Sequence, residues 1–143
     1  MSEEKKLYKL FPEPVFKFKV KNYEKHNKEL EKYIYDLYEK DNIGVQRSNV
    51  NGWHSKSFNI GDIKSPAHIF FKETREYVIE VFKIQGWKYV PEKVTMTEMW
   101  AIINKKDNLN TAHTHPNNYL SAAYYVKAPE KCGDIVFYDP RPA

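Results

Sequence analysis

The chain has 143 residues and a mass of 17.0 kDa, which suits one compact domain over residues 1–143 and leaves no room for two ordinary ones. Hydrophobic residues at 41% and charged residues at 29% are the balance of a soluble globular protein, and no apolar run approaches the roughly 20 residues of a membrane helix. A net charge of +4 and a pI near 9.0 raise the question of nucleic acid, but most lysines are mixed with acids, as on solvated helix faces, which argues against a phosphate track.

In chain order, residues 5–11 read as irregular, and Pro12 and Pro14 punctuate the approach to a strand at 15–20, where Val-Phe-Lys-Phe-Lys-Val alternates. Lys17, Lys19 and Lys21 form its outward stripe, the usual guard of an edge strand. Asn22 is placed to cap a helix reaching about Lys40, with Leu30, Tyr33, Ile34, Leu37 and Tyr38 on its apolar face. Residues 41–62 are polar and carry Gly44, Gly52 and Gly61, the composition of a loop or short strands forming a lid or substrate wall. Within it, Trp53 and His54 are candidates to line an entrance, or to pack back on a sheet.

Ser65 followed by Pro66 predicts a second helix, with Ile69, Phe70, Tyr77, Val78, Val81 and Phe82 in helical spacing up to Gly86. After Pro91, residues 94–104, 119–126 and 134–138 read as strands. Helices followed by strands predict an α+β domain in which two helices brace an antiparallel sheet. Trp87 and Trp100 are assigned to the core. The single cysteine, Cys132, cannot close an internal disulfide, and the charged residues 1–9 hold no secretory signal, which makes the cytoplasm the default compartment.

The sharpest chemical signal is Ala112-His113-Thr114-His115-Pro116. On an extended backbone His113 and His115 point to one side, with α-carbons about 6.6–7 Å apart. Two imidazoles so placed can converge on one metal ion, with no preference among Fe, Zn, Cu and Ni. The same residues also suit two polar histidines in a surface loop.

Four segments taken together carry a resemblance: Trp100-Ala-Ile-Ile-Asn104, His113-Thr-His115-Pro-Asn-Asn, Ser121-Ala-Ala-Tyr-Tyr125-Val and Gly133-Asp-Ile-Val-Phe137-Tyr-Asp-Pro-Arg141. With Ser48-Asn-Val-Asn-Gly-Trp53 upstream, the chain resembles a family of 2-oxoglutarate- and Fe(II)-dependent oxygenases of bacterial and phage type. The resemblance implies a double-stranded β-helix (jelly-roll, cupin-like) with bracing helices. It also implies Fe(II) as cofactor, 2-oxoglutarate as co-substrate, and hydroxylase-type oxidation of a small-molecule or protein substrate.

His113 and His115 become the expected metal ligands, and Tyr125, Asn104 and Arg141 the candidate co-substrate contacts. Each of these three has a plainer reading: Tyr125 as a core tyrosine, Asn104 as a strand end, Arg141 as the partner of Asp139 in a turn. His115 stands where most relatives of the wider superfamily carry a carboxylate, and Ser121-Ala122-Ala123 replaces the usual Ser-Gly-aliphatic sequence. The family also places a distal histidine and a basic co-substrate residue on later strands. No residue after Arg141 can serve as either, and nothing in the chain order makes His26, His54 or His68 a substitute. About eight strands close such a barrel and fewer are visible, so the expectation is a domain incomplete at its carboxy-terminal end, truncated or inactive as it stands. The competing reading is a non-catalytic β-domain binding a protein, sugar or nucleic-acid partner. A homo-oligomer is compatible with either.

Overall fold

The computed structural model describes residues 12–139 and 141. Helix α1 spans Tyr23–Lys40 and helix α2 spans Pro66–Ile84, with two short strands between them, β1 (Asn49–Val50) and β2 (Trp53–His54). A single 3-10 turn at Pro91–Lys93 follows α2, and β3 (Ile102–Ile103) and β4 (Leu109–Asn110) come next. Both helices fall where the sequence places them.

β1 pairs antiparallel with β4, Asn49 opposite Asn110, and β2 pairs antiparallel with β3, Trp53 opposite Ile103 and His54 opposite Ile102. Further bonds lengthen both contacts. Thr111 N–H donates to Ser48 C=O at 2.8 Å, Ser55 N–H to Ala101 C=O at 2.9 Å, and Phe58 N–H to Met99 C=O at 2.7 Å. Residues 48–58 therefore run as one arm beside residues 99–111. The pairing is interrupted where residues 104–108 bow out opposite Asn51 and Gly52. Asp107 closes that excursion at φ 65° and Asn51 faces it at φ 60°.

Alternation along this arm decides the core. Trp53, Phe58, Ala67 and Ala101 are its buried centre, and Tyr33, Ile34, Leu37, Tyr38, Ile60, Met99 and Ile103 pack around them. The expected apolar face of α1 is thus the face the arm covers. Tyr33 meets Phe58 edge-on at 5.5 Å, and Tyr38 meets Trp53 at 5.4 Å. Helix α2 reaches α1 through Phe70, whose ring stands 5.5 Å from the His26 imidazole.

Several expectations are corrected. Residues 41–62 are no lid, because their centre is core. Trp53 is buried and donates Nε1–H to Asp41 C=O at 2.7 Å, so it lines no entrance. Gly44 (φ +64°) permits that burial, since a Cβ there would sit 2.8 Å from Trp53 Nε1 and collide with the His54 carbonyl. Asn22 does not cap α1 through its side chain. It takes a left-handed conformation, φ 53°, in the turn where Lys21 N–H donates to Tyr77 Oη at 3.1 Å, and a capping side chain needs β-region backbone.

Residues 15–20 form no ladder. Phe16 and Phe18 stack on each other at 6.4 Å and Phe18 leans on Tyr77, so the segment lies along α2 by ring contacts. Residues 119–126 and 134–138 also lack ladder partners, and the two short pairings are all the sheet found among the described residues. The α+β composition holds. The described strands do not make a double-stranded β-helix.

No helix is long and apolar enough to cross a membrane among the described residues. Helix α2 starts as expected: Ser65 Oγ accepts from His68 N–H at 3.1 Å, with Pro66 in the first turn. Ser65→Ala is expected to lower stability by about 1 kcal/mol. Leu30→Ala, which empties a site only 3% exposed, should cost about 2–5 kcal/mol. Urea unfolding monitored by circular dichroism checks both, as a lower midpoint at unchanged slope.

Candidate metal centre

The pleat that sends Trp53, Ala101 and Ile103 toward the helices sends His54, Trp100 and Ile102 to the opposite face. His54 and Trp100 are diagonal neighbours across the β2–β3 pairing, within reach for large rings. Their rings stack at 5.4 Å with 16° between planes. Trp100 then stacks on His115 at 5.7 Å and 26°. The expectation that Trp100 belongs to the core is therefore corrected: it is half-buried between two imidazoles. His54, buried at 6% exposure on the face away from the helices, is roofed by that indole.

The strand containing β4 brings His113 to the same place. After Thr111 bonds to Ser48, His113 turns its Nδ1 onto the Thr111 carbonyl at 2.7 Å. A carbonyl only accepts, so Nδ1 carries the proton and Nε2 presents its lone pair. Metal-bound histidines are commonly fixed by such a bond from the other ring nitrogen. His113 Nε2 lies 3.1 Å from His115 Nε2, with the rings 69° apart. At that distance His115 can donate from Nε2 to the His113 lone pair as one neutral tautomer, or, with its proton on Nδ1, offer a second lone pair to a cation.

A metal fits this pair. With nitrogen–metal bonds of about 2.1 Å, a 3.1 Å separation sets an angle near 95° at the ion. That is close to the roughly 90° between adjacent ligands of an octahedral ion, the arrangement two histidines take in an iron facial triad. The pair supplies two donors. No group of three or more His, Cys, Asp or Glu side chains able to hold a metal occurs among the described residues.

The other candidates are dispersed. Tyr125 is 56% exposed, while its neighbour Tyr124 turns inward, its ring 4.4 Å from that of Phe70 and tilted by 41°, and donates to Asn27 Oδ1 at 2.6 Å. Burial pushes the Tyr124 phenol up, which keeps it a donor. Asn104 follows β3 directly, lies over Gly52, where a Cβ would strike its amide, and donates to Asn110 Oδ1 at 2.9 Å. Arg141 grips Asp139 twice, Nε to Oδ1 at 2.9 Å and Nη2 to Oδ2 at 2.7 Å. No hydrogen bond or ring contact joins these three residues to the histidine pair among the described residues. A groove of about 590 Å³ along α1, between Tyr23 and Tyr35, also lies away from it.

Sequence reasoning passed over the parts of His54 and Trp100. The signal that could have found them is alternation: in Trp53-His54 and Trp100-Ala101, the residue next to each core side chain must face the other way.

A model of the family described as "Putative 2OG-Fe(II) oxygenase" matches residues 98–143. That stretch is similar to such oxygenases. It is the last third of the chain and includes Trp100, both histidines, Tyr125 and Arg141. No curated protein and no solved structure gives a match.

The Arg141 guanidinium, with the Arg141 N–H, holds the Asp139 carboxyl below the usual carboxylate range. A depressed carboxyl stabilises its fold above the ordinary value and loses that contribution as pH falls through the lowered one. Arg141→Ala is expected to return the Asp139 titration upward to the ordinary range, followed by carboxyl carbon NMR, with the His113 and His115 ring signals unmoved.

Proposed function

We propose that this chain is an Fe(II)- and 2-oxoglutarate-dependent oxygenase domain, with His113 and His115 as neighbouring metal ligands. The observation that carries the reading is the 3.1 Å approach of the two Nε2 atoms on the stretch similar to such oxygenases. When bound, iron would activate dioxygen as the oxidant, one oxygen atom entering the substrate C–H bond as a hydroxyl and the other entering succinate as 2-oxoglutarate, the two-electron reductant, loses carbon dioxide.

The chain's own part is positional. His113 keeps its proton on Nδ1 through Thr111, so its metal-facing nitrogen is preset before an ion arrives. His115 is held flat under Trp100, which together with His54 shields that side from water. Tyr125, whose side chain is exposed, is the residue we assign to the far carboxylate of 2-oxoglutarate. Arg141 could join it only by leaving Asp139, and Asn104 only by leaving Asn110. A double-stranded β-helix is the fold this reading requires, so residues 119–126 and 134–138, which have no ladder partners here, would have to pair to complete it.

Anaerobic addition of Fe(II) and 2-oxoglutarate should produce a weak visible charge-transfer band. Loss of either ligand should weaken metal binding by more than the 10–100-fold typical of a lost supporting contact, so His113→Ala and His115→Ala should both abolish the band. Absence of any band in the unsubstituted chain, or an unchanged band in both variants, defeats the proposal. Tyr125→Phe should raise the 2-oxoglutarate concentration needed for half the band while leaving the Fe(II) requirement unchanged.

A further inference from the structure

The two histidines are held by different means. His113 has a hydrogen bond from Nδ1 to the Thr111 carbonyl, whereas among the described residues the His115 ring makes no hydrogen bond except the one facing His113. Besides His113, the ring that touches His115 is that of Trp100. Pro116 follows and restricts the His115 backbone to extended conformations, so the direction of Nε2 is left to the side-chain torsions. A flat contact at 5.7 Å and 26° is what limits those torsions.

The indole is itself fixed from both ends. His54 lies beneath it at 5.4 Å, buried, with Nδ1 donating to the Ser55 carbonyl at 2.6 Å. Ser55 Oγ accepts from the Ala101 N–H at 2.9 Å, which locks the residue after Trp100 to the residue after His54. On the far side, Thr97 Oγ1 donates to Asn118 Oδ1 at 2.8 Å, and Asn118 Nδ2 donates to Pro116 C=O at 3.0 Å. These two bonds pin the turn after His115 against the segment that leads into Trp100.

We propose that Trp100 is a positioning residue: backed by His54, its ring sets the His115 imidazole so that Nε2 meets His113 Nε2. The purpose of that setting rests on the metal reading given above, but the setting itself is measurable without any metal. The full chain is compared with Trp100→Leu, which keeps apolar bulk without a ring face, and Trp100→Phe, which restores a ring; circular dichroism verifies that each folds. The first readout is the His115 ring signals in metal-free side-chain NMR. The second is Co(II) affinity by calorimetry.

In Trp100→Leu, the His115 signals should move to those of an imidazole with no stacked neighbour. Co(II) affinity should fall about tenfold or more, the scale of a lost supporting contact, with the His113–Thr111 bond retained. Trp100→Phe should recover most of both. Unmoved His115 signals in Trp100→Leu overturn the proposal, as does a Phe variant no better than Leu. A full chain that shows the stacked His115 signals but takes up no Co(II) overturns the metal reading instead, and the NMR comparison still decides the role of Trp100.

Discussion

The pleat of one antiparallel pairing governs this structure. Where residues 53–55 lie beside residues 101–103, successive side chains alternate between two environments. Trp53, Ala101 and Ile103 meet the helices, while on the other face His54 backs Trp100 and Trp100 meets His115. The same few backbone hydrogen bonds therefore anchor the core on one side and the floor of the candidate metal centre on the other. A register slip of one residue would exchange the two sets, burying an imidazole among aromatic rings and exposing the most buried tryptophan.

The helices serve this arm and do little at the site directly. α1 covers its apolar face through Tyr33, Ile34, Leu37 and Tyr38, and α2 braces α1 through Phe70 and Ala67. Between the helices, His26 is 2% exposed, with Nε2 3.1 Å from Glu73 Oε2 but off the line of a hydrogen bond. The contact is a close electrostatic approach without a formed bond, bordering a cavity of about 210 Å³ with Lys21, Glu76 and Tyr77. Residues 124–127 rest on the outer side of α1 through Tyr124 to Asn27 and Lys127 to Glu31. Exposed pairs of the latter kind contribute little to stability, so Tyr124 is the firmer anchor.

Much of this was legible in the sequence where a signal is local. The spacing from Leu30 to Tyr38 gave the buried face of α1, and Ser65-Pro66 gave the start of α2. The two-residue spacing of His113 and His115 implied rings on one side, and their nitrogens do converge. Less legible were features set by partners distant in sequence. Residues 41–62 look by composition like a loop or short strands, and two short strands are found there, but that they carry Trp53 and Phe58 into the core follows only from pairing with residues 99–103. Trp100 looks like core by residue type, and its facing follows only once the register with Trp53 is known. The alternation at 15–20 promised a strand, but a tilted ring contact of Phe18 with Tyr77 holds it, and no ladder with neighbouring backbone does. Of the co-substrate candidates, sequence could name residue types but not the commitments of Arg141 to Asp139 or Asn104 to Asn110.

The outward bow at residues 104–108 splits the pairing into two short zippers, each too small to persist alone. One zipper carries Trp100 and the other leads into Thr111 and His113. His113 is fixed through Thr111 on one zipper and the His115 ring through Trp100 on the other, so the meeting of the two imidazoles reports on both pairings together.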